Sequence, residues 1–521
     1  MTASKRFYIT TAIDYPNSLP HVGTAFEKLG ADVQARYRRM EGYDVFLLMG
    51  NDENTVKVPA RAQELGMEPK AYCDDMAAQF EAAWAALDIS NNAFIQTSDE
   101  YHHRGCQKFI QKVYDAGYIR KGVYGGWYCN GCESFKTEKD IVEGICPIHK
   151  TPVIRREEEC HYFELSKFRD WLLSYYEDHP DFIQPESRRN EILSVVKEEL
   201  LDINITRSNQ TWGIQVPFDP DYTIYVWFDA LLNYITGIGY GTDEGRFNQW
   251  WPADIHVIGK DITRFHCALW PAMLHAAGLP IPKHVFGHGF ITVEGQKMSK
   301  TLGNVVNPLD VLTKFQVSSD VFRYFFMREC SFPGDGDYSE KRFMEVNDSE
   351  LANNYGNLYS RIVTLVTGNF DRVLTGTAGM VPGAVLDNID LATLIREIQT
   401  HIESFEYSRA LEKIVQKILT PANGYIEAHA PWKLVKTDKE AAKVVLFDLV
   451  EPLRIATILL KPFLPKGTET VYRGINFAQS WDSIAYHNAI TPCEWTEDLR
   501  IMADLDDKGK VKPLYRRLQS K

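Results

Sequence analysis

The first fifty residues constrain the fold more than any other part of the chain, because they alternate strand, helix and strand. Phe7–Thr11 is a short β-prone run. A helix is predicted over Pro20–Met40, since apolar residues recur there at helical spacing. Gly42 ends this helix, and Val45–Met49 is a continuous apolar run, typical of a strand buried on both faces. This order predicts a parallel sheet with a right-handed crossover.

In the remainder of the chain the residue composition and the hydrophobic periodicity change twice, which indicates several domains. Between residues 117 and 222 Gly, Cys and charged residues become dense and helical periodicity fades, as in an insertion. The α/β pattern resumes at 223, and from 341 onward apolar stripes recur at helical spacing. We therefore predict a multidomain α/β protein. A Rossmann-like parallel-sheet catalytic domain (1–116 and 223–340) is split by the insertion (117–222), and an α-helical domain with a C-terminal segment follows (341–521).

Composition excludes several classes of protein. The chain has 57 Lys and Arg against 70 Asp and Glu, a net charge of −13, which argues against a non-specific nucleic-acid binder. Nine cysteines spread over 521 residues do not resemble a disulfide framework. No apolar stretch reaches the roughly 18 residues of a transmembrane helix, and the N-terminus lacks a signal-peptide pattern. A cytoplasmic protein without a membrane partner is predicted.

The junction between the first strand and its helix carries the motif Pro20-His21-Val22-Gly23-Thr24. His21 and Thr24 are three residues apart and so share one face near the helix N-terminus. That end offers free N–H groups and a positive dipole, which suit an anion. Gly23 leaves room for a ligand to approach the backbone. Taken alone, so short a pattern is more often structural capping.

A second motif lies much later in the chain, at Gly295–Asn304, and is named here the lysine loop. It carries Lys297 and Lys300 separated by Met-Ser and flanked by glycines. A mobile, doubly cationic loop can neutralise a polyphosphate and close over it. Taken alone, a lysine pair is slightly more often a solvated surface turn.

The insertion contains a set of metal-ligand type in the pattern C-x₂-C followed by C-x₂-H. Three thiolates and one imidazole form a complete tetrahedral set for Zn²⁺ and leave no position for a catalytic water. One structural zinc ion is therefore predicted, in a knuckle at about residues 124–155. The predicted ligands are Cys129, Cys132, Cys146 and His149. The nearby Cys160-His161 competes as a ligand pair, although adjacent residues rarely bind one ion.

The two motifs, in this order and with an insertion between them, resemble the HIGH and KMSK elements of the class I aminoacyl-tRNA synthetases. Three further segments, Thr11–Asn17, Tyr225–Tyr234 and Lys260–His266, resemble the methionyl-tRNA synthetase family, and the similarity covers nearly the whole chain. It implies an ATP-dependent ligase that forms methionyl-adenylate from L-methionine and ATP. The methionyl group is then transferred to the 3′-terminal ribose of methionine tRNA.

The resemblance implies an ATP site with Mg²⁺ accompanying the nucleotide. His21, Thr24, Lys297 and Lys300 would be the catalytic residues, stabilising the α-phosphate and the departing pyrophosphate. The implied ATP-binding residues are His21, Gly23, Thr24, Lys297, Lys300 and Thr301. Thr24 stands where many class I enzymes carry a second histidine, and Thr301 replaces the more usual serine, but both keep a hydrogen-bond donor.

The resemblance also implies the amino-acid site. Aromatic and aliphatic walls suit a polarizable thioether, with Tyr15 and His266 as candidates to hydrogen-bond its sulfur. Asp52 would hold the α-ammonium group, and the Tyr225–Tyr234 segment is expected to form a strand and a loop. The implied methionine-binding residues are Ala12, Ile13, Tyr15, Asp52, Trp227, Ala230, Tyr234, Ile262 and His266.

In the helical domain, the resemblance implies that Asn357, Arg361 and Trp432 bind the anticodon. Unstacked bases need an aromatic surface and side-chain hydrogen bonds at their edges. Lysines and arginines near the C-terminus form a candidate positive patch for tRNA: Lys508, Lys510, Lys512, Arg516, Arg517 and Lys521. No appended dimerisation module of the kind found in some relatives is legible, so a monomer is predicted.

Two other readings compete with this one. A leucyl-type or cysteinyl-type synthetase shares the class I motifs, but a cysteinyl enzyme needs zinc ligands near the first strand, and no cysteine precedes Cys73. A non-catalytic tRNA-binding paralogue would tolerate the loss of His21 or of the lysine loop, yet both are present. The double substitution Lys297→Ala and Lys300→Ala separates enzyme from binding protein, because a pure binding protein would keep its function.

Overall fold

The computed structural model describes residues 5–131, 134–136, 140–198, 200–208, 210–299, 302–380, 382, 385–491, 495, 497–507 and 510–519. Its strands in chain order are β1 (Arg6–Thr11), β2 (Asp44–Asn51), β3 (Ala93–Gln96), β4 (Ile119–Cys129), β5 (Ser134–Lys136), β6 (Ile154–Phe163), β7 (Ile183–Gln184), β8 (Ile203–Asn204), β9 (Thr206–Ser208), β10 (Tyr222–Ile224), β11 (Ile255–Gly259), β12 (His284–His288), β13 (Ile291–Val293), β14 (Gln296–Lys297), β15 (Gly336–Tyr338), β16 (Val373–Leu374) and β17 (Leu499–Arg500).

The α-helices in chain order are α1 (Val22–Met40), α2 (Lys57–Leu65), α3 (Pro69–Ala86), α4 (Glu100–Asp115), α5 (Arg169–Asp178), α6 (Glu186–Glu198), α7 (Val226–Thr236), α8 (Glu244–Trp250), α9 (Trp270–Ala276), α10 (Pro308–Phe315), α11 (Ser319–Glu329), α12 (Glu340–Val346), α13 (Gly356–Asn369), α14 (Leu391–Glu403), α15 (Tyr407–Ile414), α16 (Thr420–His429), α17 (Pro431–Thr437), α18 (Lys439–Asp448), α19 (Val450–Leu460) and α20 (Pro465–Ile475). Among the described residues, no helix is both long and apolar enough to cross a membrane.

The predicted parallel sheet is confirmed. It has six strands in the order β3-β2-β1-β11-β12-β7, and every neighbouring pair is parallel. Ile9 of β1 lies opposite Leu47 on one side and Ile255 on the other. All three side chains are buried, as expected of a sheet covered on both faces. The chain reverses direction of winding between β1 and β11, so a ligand crevice is expected at the carboxyl ends of these two strands.

The segment between residues 117 and 222 does not form one separate unit. Strands β5, β4, β6 and β8 make their own antiparallel sheet, and β9 pairs with β10. Strand β7, however, pairs with β12 at the edge of the main sheet. The middle of the insertion therefore returns to the catalytic domain and completes its sheet.

The expectation of a strand and loop over Tyr225–Tyr234 is wrong. Only Tyr222–Ile224 is a strand, and helix α7 begins directly after Tyr225. The apolar run here is buried because α7 lies within the core, where Leu231, Leu232 and Ile235 are almost inaccessible. A short apolar run cannot distinguish a buried strand from a buried helix by periodicity alone.

The helical C-terminal domain is confirmed, and a buried ion pair joins it to the sheet. Apolar stripes at helical spacing were predicted for this domain, and α14 buries one through Leu394, Ile398 and Ile402. Arg323 of α11 is fully buried and donates to Asp32 of α1 at 2.6 Å. The same guanidinium donates to the carbonyl oxygens of residues 462 and 463, which follow α19. The Arg323 side chain therefore connects α1 of the catalytic domain to the residues that follow α19 in the helical domain.

The described members of the predicted C-terminal patch are all exposed: Lys510, Lys512, Arg516 and Arg517. Arg516 donates to the carbonyl oxygen of Phe315 and to Gln316 at the end of α10. Lys508 and Lys521 lie outside the described residues. The C-terminal segment thus packs back on the catalytic domain, and Tyr515 is buried with its hydroxyl donating to Asp320 at 3.1 Å.

Candidate active site

The motif at the start of α1 forms a reciprocal helix cap. His21 Nδ1 accepts hydrogen bonds from the backbone N–H groups of Gly23 (3.1 Å) and Thr24 (3.2 Å). Thr24 Oγ1 in turn accepts from the His21 backbone N–H at 2.9 Å and donates to the His21 carbonyl oxygen at 2.7 Å. Both motif residues therefore hold each other in place, as in a capping box.

This cap determines the protonation of His21. Because Nδ1 accepts from backbone N–H groups, it carries no proton, and the neutral ring must carry its proton on Nε2. Burial, with a further contribution from the charge of Lys28, lowers the pKa of His21. At neutral pH His21 is therefore a neutral hydrogen-bond donor through Nε2, and its position at a helix N-terminus suits an anionic acceptor.

The lysine loop contacts the same helix terminus. A Cβ added at Gly23 would lie 3.2 Å from Met298 Cε and 3.0 Å from a carbon of the His21 ring, so glycine permits this approach. The N–H of Val22 donates to the carbonyl oxygen of Val306, which follows the loop, at 2.9 Å. Two motifs separated by more than 270 residues in sequence thus meet at one point.

Asn304 holds the backbone of the lysine loop. Its Oδ1 accepts from the N–H of Ser299 at 2.9 Å, and its Nδ2 donates to the Lys297 carbonyl oxygen at 3.2 Å. The Lys297 side chain is exposed. Lys300 and Thr301 lie outside the described residues. Sequence reasoning included Asn304 in the loop but assigned it no role; an Asn beside a glycine, where side chains often bond the backbone, was the available signal.

A cavity of about 440 Å³ lies between these two elements, lined by Ser18, His21, Met298, Ser299, Gly303 and Val305. Its position at the carboxyl end of β1 agrees with the crevice expected from the strand order. The arrangement offers an anion a helix N-terminus on one side and the loop that carries Lys297 on the other.

Several of the predicted methionine-binding residues belong to, or pack against, one hydrophobic core of the sheet domain. Trp227 stacks on Phe265 with ring centroids 4.2 Å apart, and its edge faces Tyr15 at 6.4 Å. Ala12, Ile13 and Ile262 are partly buried against the same core, and Ala230 is buried. Tyr15 is 37% exposed, which places it at the rim. Three separate chain segments thus contribute to one largely apolar wall.

His266 and Tyr234 are the polar side chains beside this apolar wall, and they are hydrogen-bonded to each other. His266 Nδ1 lies 3.0 Å from the Ile262 carbonyl oxygen, which can only accept, and Nε2 lies 2.7 Å from the Tyr234 hydroxyl. Burial lowers the pKa of His266 to about 4, so the ring is neutral. Nδ1 therefore carries the proton, and the Tyr234 hydroxyl donates to Nε2. Both ring nitrogens of His266 therefore have partners within the protein, and the Tyr234 hydroxyl is held by this histidine.

The π-helical turn Phe265–Leu269 brings His266 to this position; such turns are rare and often occur at functional sites. Below it, His256 stacks under Tyr234 with centroids 4.2 Å apart. His256 Nε2 accepts from the Trp270 indole at 3.2 Å, and its Nδ1 bonds Thr10 at 2.6 Å. Sequence reasoning missed His256, because a histidine inside a buried strand gives no local functional signal.

Two buried carboxylates lie beside the wall. Asp52, at the end of β2, is 3% exposed, and Asp229 of α7 is fully buried. Burial raises the pKa of each carboxyl well above its usual range, and the charge of Asp52 adds to the shift at Asp229. Asn54 donates to Asp229 Oδ2 at 2.9 Å, but Asp52 Oδ1 and Asp229 Oδ1 have no hydrogen-bond partner among the residues that the structure describes.

Such a pair favours a cationic ligand, because buried charges are costly unless they are paired. Sequence reasoning predicted Asp52 and missed Asp229, although Asp229 lies inside the segment that carried the resemblance. An acidic residue in an otherwise apolar segment was the signal.

A buried ion network supports the loop that carries Ala12 and Tyr15. Lys28 of α1 is fully buried, with its Nζ 3.0 Å from Asp14, 2.8 Å from Glu27 and 2.9 Å from the Ala12 carbonyl oxygen. Glu27 also lies 3.0 Å from His288 Nε2. Burial raises the pKa of Asp14 to about 6 despite Lys28, whereas Lys28 and His288 together lower that of Glu27 to about 2. Sequence reasoning missed this network.

The insertion brings three of the four predicted metal ligands together. The ligand atoms of Cys129, Cys146 and His149 lie within 4.8 Å of one another, and both cysteines are buried. A Cβ on Gly131 would lie 2.6 Å from the His149 ring, so this histidine position requires glycine there. Cys132 lies outside the described residues. Within the described chain, no other group of three such side chains is found.

Cys160 and His161 are not part of this group. His161 is instead directed toward Asp219, with Nε2 and Oδ2 3.4 Å apart, and toward Thr206.

In the helical domain, α13 and α17 bring Arg361 and Trp432 into contact. The guanidinium lies 4.6 Å from the centre of the indole ring, and Nη1 donates to Glu427 at 2.7 Å. Asn357 is half-buried one turn before Arg361 on the same helix. Arg361 and Trp432 are therefore in direct contact. Asn357 lies one turn away from Arg361 along α13.

Two family models match the chain. The family described as tRNA synthetases class I (M) matches residues 7–153 and 148–363. The family described as the anticodon binding domain of methionyl tRNA ligase matches residues 376–499. The two matches fall on the sheet domain with its insertion and on the helical domain.

Curated relatives and solved structures agree with these matches. The chain is 44% identical over 489 residues to a methionine–tRNA ligase of Caldanaerobacter subterraneus subsp. tengcongensis, covering 92% of this chain and 76% of the relative. It is 38% identical over 532 residues to that of Nostoc sp., covering 99% and 98%. Its structure is similar to that of Mycobacterium tuberculosis methionyl-tRNA synthetase in complex with methionyl-adenylate. The TM-score is 0.88 at 36% identity, over 96% of this chain and 99% of the other.

Proposed function

The chain belongs to the methionyl-tRNA synthetase family, and on this premise we propose how its residues divide the reaction between two adjoining sites. Its reaction is the activation of L-methionine by ATP to methionyl-adenylate, followed by transfer of the methionyl group to methionine tRNA. The observation that carries the residue assignment is the meeting of His21 and the lysine loop around one cavity. The buried carboxylates of Asp52 and Asp229, each with one oxygen that has no hydrogen-bond partner among the described residues, support the assignment of the amino-acid site.

In the first step the methionine carboxylate attacks the α-phosphate of ATP and pyrophosphate leaves. His21 donates a hydrogen bond from Nε2 to the α-phosphate, a role that its neutral, fixed tautomer supports. Thr24 acts by holding His21 through the reciprocal cap. Gly23 lets the nucleotide approach the helix, and Lys297, Lys300 and Thr301 bind the phosphates as the loop closes. Catalysis is then positioning and charge stabilisation without a covalent enzyme intermediate.

The methionine site holds both ends of the amino acid. Asp52, with Asp229 beside it, pairs with the α-ammonium group, which supplies the positive charge that the two buried carboxylates lack. The side chain lies against the apolar wall formed by Ala12, Ile13, Tyr15, Trp227, Ala230 and Ile262. Tyr234 faces the sulfur, held in one orientation because its hydroxyl proton is directed to His266.

The Cys/His group fits one structural Zn²⁺. Zinc binds thiolate at about 2.3 Å and imidazole at about 2.0 Å in a tetrahedron, and ligand atoms within 4.8 Å of one another suit such a centre. Cys132 is the proposed fourth ligand. Zinc would cross-link the end of β4 to the Cys146–His149 turn, and no catalytic step passes through it. Mg²⁺ is proposed to accompany the phosphates of ATP.

The helical domain is proposed to bind the anticodon through Asn357, Arg361 and Trp432. An arginine stacked on an indole presents an aromatic face together with N–H donors, which suits an unstacked base. That the protein is monomeric and cytoplasmic also belongs to this proposal; light scattering at several concentrations tests the first point and subcellular fractionation the second.

Methionine-dependent ATP–pyrophosphate exchange tests the proposed function. We expect exchange with L-methionine and little with leucine or cysteine. Absence of exchange in correctly folded protein, or equal exchange with all three amino acids, would contradict the proposal. The double variant Lys297→Ala/Lys300→Ala should abolish exchange while tRNA binding remains.

A further inference from the structure

A cavity of about 570 Å³ lies at the opposite end of α1 from His21. Helix α1 has 19 residues, so at about 1.5 Å per residue its ends are roughly 28 Å apart. Arg36 and Arg39, in the last turns of α1, form one side of the cavity. Lys461 and Trp481, which follow α19, form the other side. The cavity therefore lies between the catalytic and helical domains, remote from the nucleotide and amino-acid sites.

The two arginines and the lysine of this cavity share few negative charges. Arg36 donates to Asp32 at 2.8 Å, and the same carboxylate already accepts from Arg323. Arg39 donates to hydroxyl, carbonyl and amide oxygens, which carry no charge. Lys461 donates to a backbone carbonyl oxygen at 2.6 Å. Among the described residues, neither Arg39 nor Lys461 forms an ion pair, so both lack a counter-charge.

The three cations also lie close enough to repel one another. The pKa of Lys461 is about 8, lowered chiefly by burial and further by the charge of Arg36. The nearby carboxylates of Asp482 and Glu469 offset this shift only in part. Burial also lowers the pKa of Arg39, with a further contribution from Arg36. Partly buried charges without counter-charges are costly, and an anion in the cavity would relieve this cost.

Arg39 and Lys461 both keep hydrogen-bond donors for such an anion. A guanidinium has five N–H groups and an ammonium group has three. Within the described chain, Arg39 uses three of these donors and Lys461 uses one. Hydrogen bonds from charged donors to phosphate oxygens are about twice as strong as those between neutral groups. The donors of the two side chains therefore suit a phosphate group.

The rim of the cavity offers acceptors instead of cations. Glu41 and Asp482 belong to the lining and are exposed, as is the hydroxyl-bearing Ser483. Carboxylate and hydroxyl oxygens accept hydrogen bonds from the hydroxyl groups of a ligand. A volume of about 570 Å³ lies in the usual range of small-molecule sites and exceeds the size of one phosphate group. The lining thus suits a ligand with a phosphate at one end and hydroxyl groups at the other.

The same geometry disfavours a nucleic-acid chain. Trp481 is 6% exposed, and the Lys461 ammonium lies over its ring, 4.2 Å from the centre. Single-stranded nucleic acids need free aromatic faces on which their bases stack. Because the Trp481 ring is buried and covered, a small ligand fits the cavity better than an RNA strand.

We propose that this cavity binds a small phosphate ester that carries hydroxyl groups, the class of the sugar phosphates. Arg39 and Lys461 donate to the phosphate, and Glu41 and Asp482 accept from the hydroxyl groups. Since Arg39 belongs to α1 and Lys461 follows α19, the bound ligand connects the catalytic and helical domains. The site goes beyond the proposed function and takes no part in its reaction.

Calorimetric titration of the full-length protein with ribose 5-phosphate at low salt tests the proposal. We expect saturable binding with a Kd of about 1 mM or below, and no binding of ribose. Arg39→Met and Lys461→Met should each weaken binding about tenfold or more, because each removes charged donors. Inorganic phosphate should compete but bind more weakly, since it has no sugar hydroxyls for the rim.

Arg38→Met and Lys466→Met are matched controls. Arg38 lies in the same turn of α1 and Lys466 at the start of α20, but each is paired with a carboxylate and neither lines the cavity. Both variants should bind ribose 5-phosphate as the wild-type protein does. The variant Lys297→Ala/Lys300→Ala should also bind it, because the ATP site is not involved.

Protection of Lys461 in the wild-type protein gives a second measurement that needs no substitution. An amine with a pKa of about 8 is partly neutral at pH 8 and reacts with acetic anhydride. Ribose 5-phosphate should slow this acetylation several-fold at Lys461 but not at Lys466, as followed by peptide mass spectrometry. Pyrophosphate exchange by Arg39→Met and Lys461→Met should stay near the wild-type rate.

Several results would overturn the proposal. They are the absence of saturable binding, equal affinity for ribose or for inorganic phosphate, and unprotected acetylation of Lys461. Equal weakening in the Arg38 and Lys466 variants would show a general effect of charge. Loss of binding in the lysine-loop variant would place the ligand in the ATP site instead.

Discussion

The amino-acid pocket and the nucleotide cavity differ in how their polar groups are held. In the pocket, His266, Tyr234 and His256 form a buried chain of hydrogen bonds and stacked rings, and each side chain has one orientation. In the cavity, the start of α1 is equally fixed, but the facing loop is exposed and is held through Asn304. One side recognises a small apolar ligand by preformed shape, whereas the other must close on a polyphosphate and release it.

The unpaired polar atoms show the same difference. Within the described chain, the pocket buries carboxylate oxygens of Asp52 and Asp229 without a partner, an arrangement that costs stability until a cation binds. Lys297, on the loop that borders the cavity, is exposed, so its ammonium group keeps its hydration in the free protein. In the free protein, the buried carboxylates of the pocket therefore destabilise the fold. The exposed Lys297 of the lysine loop carries no such desolvation cost. Substitutions should separate the two sites on this basis.

The largest effect is expected from Asp52→Asn. The variant keeps the shape of the pocket but removes the charge that pairs with the α-ammonium group. Loss of one partner of a buried ion pair costs about 3–5 kcal/mol, which corresponds to a fall of roughly 10²–10³-fold or more in kcat/KM for methionine. Pyrophosphate exchange at varied methionine and at varied ATP measures it. An equal effect on the KM for ATP would show that the two sites are not separable as described.

Lys297→Ala should affect the other site by a somewhat smaller amount. Removal of one preorganised donor to a transition-state anion typically lowers kcat by about 10²-fold. Because Lys297 is exposed and makes no part of the pocket, the KM for methionine should remain near its wild-type value. Lys314→Ala, at an exposed lysine outside the lysine loop, is the control. A raised KM for methionine with an unchanged kcat would contradict the assignment of Lys297 to the phosphates.

Asn304→Ala should have a moderate effect, because it acts on the loop rather than on the substrate. The variant loses two hydrogen bonds to the loop backbone, each worth about 1 kcal/mol. A fall of about tenfold in kcat for exchange is expected, with unchanged thermal stability, since the loop is exposed. If the variant retains full activity, the loop does not depend on Asn304 for its active conformation.

The smallest effect is on the stability of the Asp52→Asn variant. This substitution should lower the activity but raise the free energy of unfolding of the ligand-free protein. Since the folded-state pKa of Asp52 is raised, its ionisation costs stability at neutral pH. Asp52→Asn should therefore stabilise the ligand-free protein at pH 7 by about 1–3 kcal/mol. The gain should shrink as the pH falls toward 3.8, the ordinary value of this carboxyl, because protonation then removes the same charge. Urea unfolding at several pH values measures it, and a destabilised variant at pH 7 would refute the account.

Much of the catalytic domain was predictable, because its signals are local. The apolar run of β2 and the helical spacing of α1 predicted two neighbouring elements and the crossover between them. The Tyr225–Tyr234 segment was predicted wrongly, since a short buried run has no distinguishing period. Strand β7 was not predicted, because a strand of two residues is too short to show a hydrophobic pattern.

The sequence alone determined which chemical groups are present and which of them share an element. His21 and Thr24 had to lie on one helix face, and the Cys and His spacings had to suit one metal ion. Only the tertiary structure decided which distant groups meet. Met298 reaches Gly23, Asp229 lies beside Asp52, and the Lys28 ammonium bonds the Ala12 carbonyl. The physical reason is that spacing along a chain specifies neighbours within a few residues, whereas the order of strands in a sheet specifies neighbours hundreds of residues apart.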